Sequence, residues 1–280
     1  MKLAYFPNQI ALNGQLTLRS FLNGAKKHGF QPVENSLDAD AAVIWSVLWN
    51  GRLAQNKVVY DTYRSQGKPV FILEVGALKR GYTWKVAVNN ITSLGIYGNQ
   101  DNLDPMRSGK IGIKLAPPNL LRNNHILIAG QHQKSLQWKG QAETETWMLE
   151  KIKEIRQFTD RPIVIRPHPR SRFVLQSTDA KIITPIRIPH SHEEYDIDYN
   201  CHCVINHNSG PSTSAIIKGT PVICDESSLA WPMSATLDQI EKIQLPDRDN
   251  WFLKICHTEW TNVEINNGDP LARIMPFIKT

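Results

Sequence analysis

Two short stretches of this 280-residue chain carry residue types suited to holding an anion. The first is Arg166-Pro-His-Pro-Arg170, which supplies two guanidiniums and the imidazole of His168. A guanidinium pairs with phosphate in a planar, bidentate manner, and a charged imidazole adds hydrogen bonds. The prolines flanking His168 fix the backbone and end any preceding strand, so the loop is stiff. The second stretch contains His207, Asn208, Ser209, Gly210, Ser212 and Thr213, a turn dense in small donors and acceptors. It lies between the apolar Val204-Ile205 and a short helix expected over residues 212–218, closed by Gly219. A turn between a parallel strand's C-terminal end and a helix N-terminus presents free backbone N–H groups to a phosphate. A third polar set, residues 131–135 with Gln131 and Ser135, follows another apolar run. Neither G-x-G-x-x-G nor G-x-x-x-x-G-K-[ST] occurs at these turns, which excludes the standard dinucleotide fingerprint and the P-loop. Ser209 sits in Asn-Ser-Gly, so the hydrolase elbow G-x-S-x-G is missing as well.

These loops need strands and helices to position them. Residues 2–6, 40–48 and 69–75 are apolar runs, and helical spacing falls between them over residues 15–27 and 53–66. That alternation is the βαβ rhythm of a parallel sheet. Residues 76–118 are less regular, and Pro117-Pro118 followed by an Asn-rich stretch reads as a linker. The rhythm then restarts: strands at 125–129, 161–166, 181–184 and 204–205, a helix at 144–158, and the strand beginning at Pro221. Residues 235–243, 249–258 and 269–278 read as helices. The fold class expected is α/β, two Rossmann-like domains facing each other across a cleft, divided as residues 1–118 and 119–280. In a parallel sheet the three polar loops of the second half open on one edge.

Composition sets the remaining bounds. Hydrophobic content of 41% and charged content of 21% describe a globular protein. No run reaches the ~18 apolar residues that span a bilayer. Cys201, Cys203, Cys224 and Cys256 form no C-x-x-C pair, which fits a reduced, cytoplasmic protein. The net charge of +6 suits a polyanionic partner or a nucleotide-diphosphate site. His190, His192, Glu193, Glu194, Asp196, Asp198 and His202 crowd one segment, but their spacing matches no regular metal motif, so an exposed acidic loop and no metal are expected.

Three motifs in order, Ile-Ala-Gly-Gln-x-x-x-Ser (128–135), Arg-Pro-His-Pro-Arg and Asn-Ser-Gly…Ala-Ile-Ile-Lys-Gly-Thr-Pro-Val, resemble glycosyltransferases of the GT-B architecture. The resemblance is narrower to the capsule-polysaccharide (Kdo-type) transferases and to phage DNA glycosyltransferases that modify hydroxymethyl- or hydroxy-pyrimidines. Trp260-Thr-x-x-Glu264-Ile-x-x-Gly268 is similar to the closing segment of the phage-type members. The resemblance implies a nucleotide-sugar donor in the second domain and an acceptor in the first, with a UDP-sugar as co-substrate and no cofactor. Arg166, His168 and Arg170 would then contact the diphosphate or uridine. His207 and the turn Asn208, Ser209, Gly210, Ser212 and Thr213 would hold phosphate, with Gln131 and Ser135 lining the pocket. Capsule-type relatives carry Glu where this chain has Ser214, and Glu226 is the possible substitute for that ribose contact.

An inverting transfer needs a carboxylate to deprotonate the acceptor hydroxyl. Glu74, ending an apolar strand in a segment similar to Glu-Asp-Gly-Phe-x-Arg of the capsule-type enzymes, is the candidate; Val75 stands where those have Asp. Asp101 and Asp104 are reserves. The acceptor expected is a hydroxyl on a modified pyrimidine in double-stranded phage DNA, glycosylated with glucose or a pentose such as arabinose in the host cytoplasm. A flipped base calls for basic and aromatic contacts, for which Lys79, Arg80, Tyr82 and Trp84 are candidates. A cell-surface polysaccharide acceptor and a non-catalytic nucleotide- or nucleic-acid-binding module are the alternatives, and no membrane contact is expected.

Overall fold

The computed structural model describes residues 1–98, 101–171, 179–192 and 194–278. In chain order the elements are β1 (Lys2–Tyr5), α1 (Gln15–Lys27), β2 (Gln31–Glu34), β3 (Ala41–Trp45), α2 (Gln55–Ser65), β4 (Val70–Val75), β5 (Thr83–Val88) and α3 (Arg107–Ile111). Then follow β6 (Ile126–Ala129), α4 (Thr144–Ile155), β7 (Ile163–Arg166), β8 (Lys181–Ile182), β9 (Cys203–Asn206), α5 (Gly210–Ile217) and β10 (Val222–Cys224). The chain closes with α6 (Asp249–Cys256), β11 (Glu259–Thr261), α7 (Asn262–Asn267) and α8 (Asp269–Ile274). Two compact units result. Unit 1 comprises Met1–Ile113, Lys134–Leu136 and Leu253–Thr280; unit 2 comprises Lys114–Gln133 and Gln137–Phe252.

Unit 1 is built on a six-stranded sheet in the order β11-β5-β4-β3-β1-β2. The strands β2, β1, β3 and β4 are parallel, and β5 turns back antiparallel to β4. Every residue of β3 is buried, as its unbroken apolar run requires of a strand covered on both faces. Phe21 of α1 packs on Phe71 at a ring separation of 5.3 Å. The last strand comes from the far end of the chain, where β11 adds antiparallel to β5. Trp260, Ile265, Leu271 and Ile274 of this terminal stretch join the same core as Leu3, Phe21 and Phe71. Helix α7 approaches α1 so closely that a Cβ on Gly24 would lie 2.2 Å from the Ile265 carbonyl oxygen.

The terminal motif has a local physical reading. Thr261 caps α7 and shares a reciprocal capping box with Glu264, while Gly268 closes the helix at φ +90°. Arg107, 2% exposed, pairs with Glu264, donates to the carbonyls of Cys256 (3.0 Å) and Glu259 (2.6 Å), and lies 4.3 Å from the Trp260 ring.

Unit 2 holds five strands in the order β10-β9-β6-β7-β8, every pairing parallel. Its core sets Ile126, Ile128, Ile163, Ile165 and Ile205 against Trp147, Met148, Ile152 and Ile155 of α4.

The units correct the expected boundaries of 1–118 and 119–280. Pro117-Pro118 is not a free linker. Ala116 N donates to Ile217 O (2.8 Å) and Asn119 N to Gly219 O (2.9 Å), which fastens the segment to the end of α5. Gly219, at φ +86°, leaves no room for a Cβ, which would fall 2.2 Å from Pro117 O. At the other end β11 supplies the edge that β5 lacks, which takes residues 253–280 into unit 1. Residues 235–243, expected as a helix, form a 3-10 turn at Leu237–Lys242.

Candidate functional site: the strand-end loops of unit 2

Because all five strands of unit 2 run parallel, the loops after β6, β7, β9 and β10 open on one edge. Asn206 at the end of β9 organises them. Its Nδ2 donates to Ala129 O of β6 (2.7 Å) and to Ser209 Oγ (3.0 Å), and its Oδ1 accepts from Ser209 N (2.8 Å) and Ser212 Oγ (3.3 Å). The turn is thus shaped by the strand's own last side chain before α5 begins.

Consecutive residues of the β6 loop reach both neighbours. Gln131 Nε2 donates to Asn208 Oδ1 (2.9 Å), and Asn208 N donates back to Gln131 Oε1 (3.3 Å). His132 meets His168 of the β7 loop edge-on at a ring separation of 5.2 Å. Between them Gly130 N donates to Arg166 O (2.8 Å), and a Cβ on Gly130 would fall 3.0 Å from Pro167 Cα. Asn208 also donates to Gln137 O (3.2 Å) and Ser227 Oγ (2.8 Å), so the β10 loop joins the set.

The charged groups are distributed unevenly. Arg166 is buried, its Nε donating to Asp196 O (2.7 Å), and burial lowers its pKa. Arg170 is exposed, and its backbone N–H donates to His168 Nδ1 (3.1 Å), which stiffens the Pro-His-Pro turn. His207 is packed among Trp138 (5.4 Å) and Trp147 (6.5 Å), with Asp225 Oδ2 4.0 Å from Nδ1. Burial lowers the His207 pKa and Asp225 opposes the shift. Burial in this aromatic pocket thus disfavours the charged form of His207. Asp225 turns to His207, whereas Glu226, the expected ribose contact, is exposed. Ser214, standing where capsule-type relatives have Glu, hydrogen-bonds Tyr199, whose phenol burial pushes up to about 12.

Two expected site residues fall elsewhere. The segment Lys134–Leu136 with Ser135 belongs to unit 1, where Ser135 bridges Leu48 and Leu136 N donates to Val47 O (2.9 Å). Trp84 is 3% exposed, in the core of unit 1 against Trp45 (5.7 Å), and cannot act as a wedge into DNA. Its neighbours on the β5 register are Val75 and Trp260, an apolar row. Lys79 lies over the Tyr82 ring at 4.4 Å, and Arg80 and Tyr82 are exposed.

Glu74, at the C-terminal end of β4, accepts from Ser46 Oγ at 2.6 Å and from Val75 N at 2.9 Å. Ser46 holds a positive φ of 63°, rare for a residue with a Cβ, and its Oγ accepts from Leu48 N (3.2 Å). Asp104 pairs with Lys110 (2.6 Å) and its backbone N–H donates to His257 Nε2 (3.1 Å), so that reserve carboxylate is engaged locally. Among the described residues no group of three His, Cys, Asp or Glu side chains is placed to hold a metal ion. Glu193 of the acidic segment lies outside the described residues. Among the described residues no helix is long and apolar enough to cross a membrane.

No family model and no curated protein matches the sequence. Among solved structures the chain is similar to two KpsC transferases of Thermosulfurimonas dismutans. The β-Kdo 2,4 transferase aligns at TM-score 0.52 and 13% identity, over 95% of this chain and 97% of that one. The β-Kdo 2,7 transferase aligns at TM-score 0.53 and 14% identity, over 97% and 100%. The likeness fixes the architecture: two Rossmann-like α/β units, the GT-B fold of glycosyltransferases.

Proposed function

We propose that the chain is a glycosyltransferase that moves a sugar from a nucleotide sugar to an acceptor hydroxyl. The observation that carries this is the single edge of unit 2 on which Gln131, Asn208 and Ser227 tie the β6, β9 and β10 loops together, with the β7 loop joined through Gly130 N and Arg166 O. There the exposed Arg170 and the N-terminal end of α5 offer cationic and N–H groups to a departing phosphate. Buried Arg166 holds the Asp196 carbonyl. In the transfer, the bond between the anomeric carbon and the phosphate oxygen breaks as a bond to the acceptor oxygen forms. The nucleotide leaves with the bonding electron pair, and the acceptor's proton passes to the Glu74 carboxylate.

The acceptor favoured is a saccharide hydroxyl on a surface polysaccharide. The fold is shared with two β-Kdo transferases, and the burial of Trp84 removes the ring best suited to replace a flipped base. Transfer to a modified pyrimidine in DNA is the second reading, supported by the exposed Arg80 and the Lys79–Tyr82 stack.

Nucleotide release from a panel of UDP-sugars and other nucleotide sugars tests both, with oligosaccharide acceptors in one arm and hydroxymethylcytosine DNA in the other. Acceptor-dependent release, lowered about 100-fold or more by Glu74→Gln, is expected. Release only with DNA would replace the first acceptor by the second, and no release with any pair would contradict the transferase.

A further inference from the structure

The sheet register sets a basic residue directly beside Glu74. Glu74 of β4 and Glu259 of β11 are both direct partners of Lys85 on β5, so the three side chains stand in a row on one face of unit 1. Direct antiparallel partners have Cβ atoms about 5 Å apart, which sets the Lys85 side chain between those of Glu74 and Glu259 along the row. Glu259 itself is fixed. It is 1% exposed and accepts from Ala77 N (2.7 Å), Leu78 N (3.1 Å) and Thr83 Oγ1 (2.8 Å). Gly76 makes that approach possible, since a Cβ there would lie 2.3 Å from Glu259 Oε2.

Lys85 donates to Ile91 O (3.4 Å) and has two further N–H donors. Burial disfavours its charge, and Glu259 and then Glu74 support it. Tyr97 also feels the Glu259 charge; its buried hydroxyl has no hydrogen-bond partner, and burial and Glu259 both raise its pKa. Of the two acids beside half-buried Lys85, Glu259 is closed off from solvent and Glu74 keeps partial exposure.

We propose that Lys85, flanked by Glu74 and Glu259, is a positioning residue for Glu74, and that β11 thereby completes the setting of the base from the far end of the chain. This rests on the reading of Glu74 as the base. A row of charges kept only for sheet stability would make the same fold, so the test needs a readout that stability does not move.

Lys85→Met, Lys85→Arg and Glu259→Gln are compared with the wild-type protein in two measurements. In the first, kcat and donor KM are separated in the nucleotide-release assay. The expected result is a kcat about 100-fold lower in Lys85→Met with donor KM within about twofold, and recovery of most of the loss in Lys85→Arg. A folded Lys85→Met protein with wild-type kcat overturns the proposal. The second needs no turnover: the Glu74 side-chain carboxyl resonance is followed by carbon-13 NMR, assigned with Glu74→Gln. It should move in Lys85→Met and in Glu259→Gln and stay in place in Lys85→Arg. A resonance indifferent to Lys85→Met also overturns the proposal. A resonance that responds in a protein lacking any Glu74-dependent turnover would uphold the positioning and reject the base.

Discussion

Asn208 shows how one side chain can carry a site. It is 7% exposed and joins Gln131 and Gln137 of the β6–α4 connection to Ser227 after β10. Asn208→Ala removes the acceptor of the buried Gln131 Nε2 and unties the β10 loop, where Ser227 Oγ keeps only its bond to Asp225 Oδ1. It should lower unfolding stability by about 1–3 kcal/mol in urea melts and raise donor KM. An unchanged KM in a folded variant would dissociate the loop junction from donor binding. The histidines make a pH prediction. His125, His202, His207 and His257 all have pKa values lowered mainly by burial. An unfolded histidine takes a proton near pH 6.5, so below that value the unfolded chain binds protons that the native state refuses. The stability of the neutral imidazoles is therefore complete above about pH 6.5 and is lost as pH falls through the lower native values. Melting temperature should fall from pH 7.5 to pH 5.5, and a rise would contradict the assignment. Neither the burial of His207 nor the Glu74–Lys85–Glu259 row was legible in the sequence. The first depends on Trp138 and Trp147 closing over the ring, the second on which strands become neighbours.

At the scale of elements, β3 and β6 and the apolar stretches of β1, β4, β7 and β9 could be read directly from the sequence, because strands covered on both faces are apolar over most of their length. The short edge elements could not. β2 carries Gln31 and Glu34 at its ends, and β11 is three residues long, with a buried Glu259 that reads as a polar surface residue until its N–H partners are known. Joining β11 to unit 1 is a long-range pairing that no local pattern announces. Its weight can be measured. Arg107 and Glu264 form a largely buried ion pair, so Arg107→Met and Glu264→Gln each leave a charged partner unmatched and should cost about 3–5 kcal/mol. Gly24→Ala places a methyl against the Ile265 carbonyl and should cost about 1–3 kcal/mol by forcing α1 from α7. Denaturant midpoints check both, and wild-type midpoints would refute the tight terminal docking. Of the candidate site, the three motif loops and their common edge were legible, since parallel topology alone brings them together. Ser135 and Trp84 were misplaced because a loop's destination and the face of an alternating strand depend on tertiary contacts.

Across the whole molecule, the two units divide the chemistry that the fold suggests. Unit 2 carries the loop edge suited to a nucleotide sugar, and unit 1 carries Glu74 with its basic and acidic neighbours. The terminal segment belongs to the second of these tasks as much as to stability. Deletion of residues 257–280 removes Trp260, Ile265, Leu271 and Ile274 from the unit 1 core along with Glu259, and should abolish cooperative unfolding of that unit in hydrogen exchange. The net charge of +6 allows salt-sensitive attraction to any polyanion, so DNA retention at low salt that fades by about 200 mM would not by itself identify an acceptor. The central claim is that the strand-end loops of unit 2 hold a nucleotide sugar. Calorimetric titration of UDP and of a UDP-sugar into the wild-type protein, Arg170→Ala and Glu74→Gln tests it most directly. The account predicts saturable one-site binding, weakened about tenfold or more by Arg170→Ala and unaltered by Glu74→Gln. Binding that ignores Arg170 but fails with Glu74→Gln would contradict it.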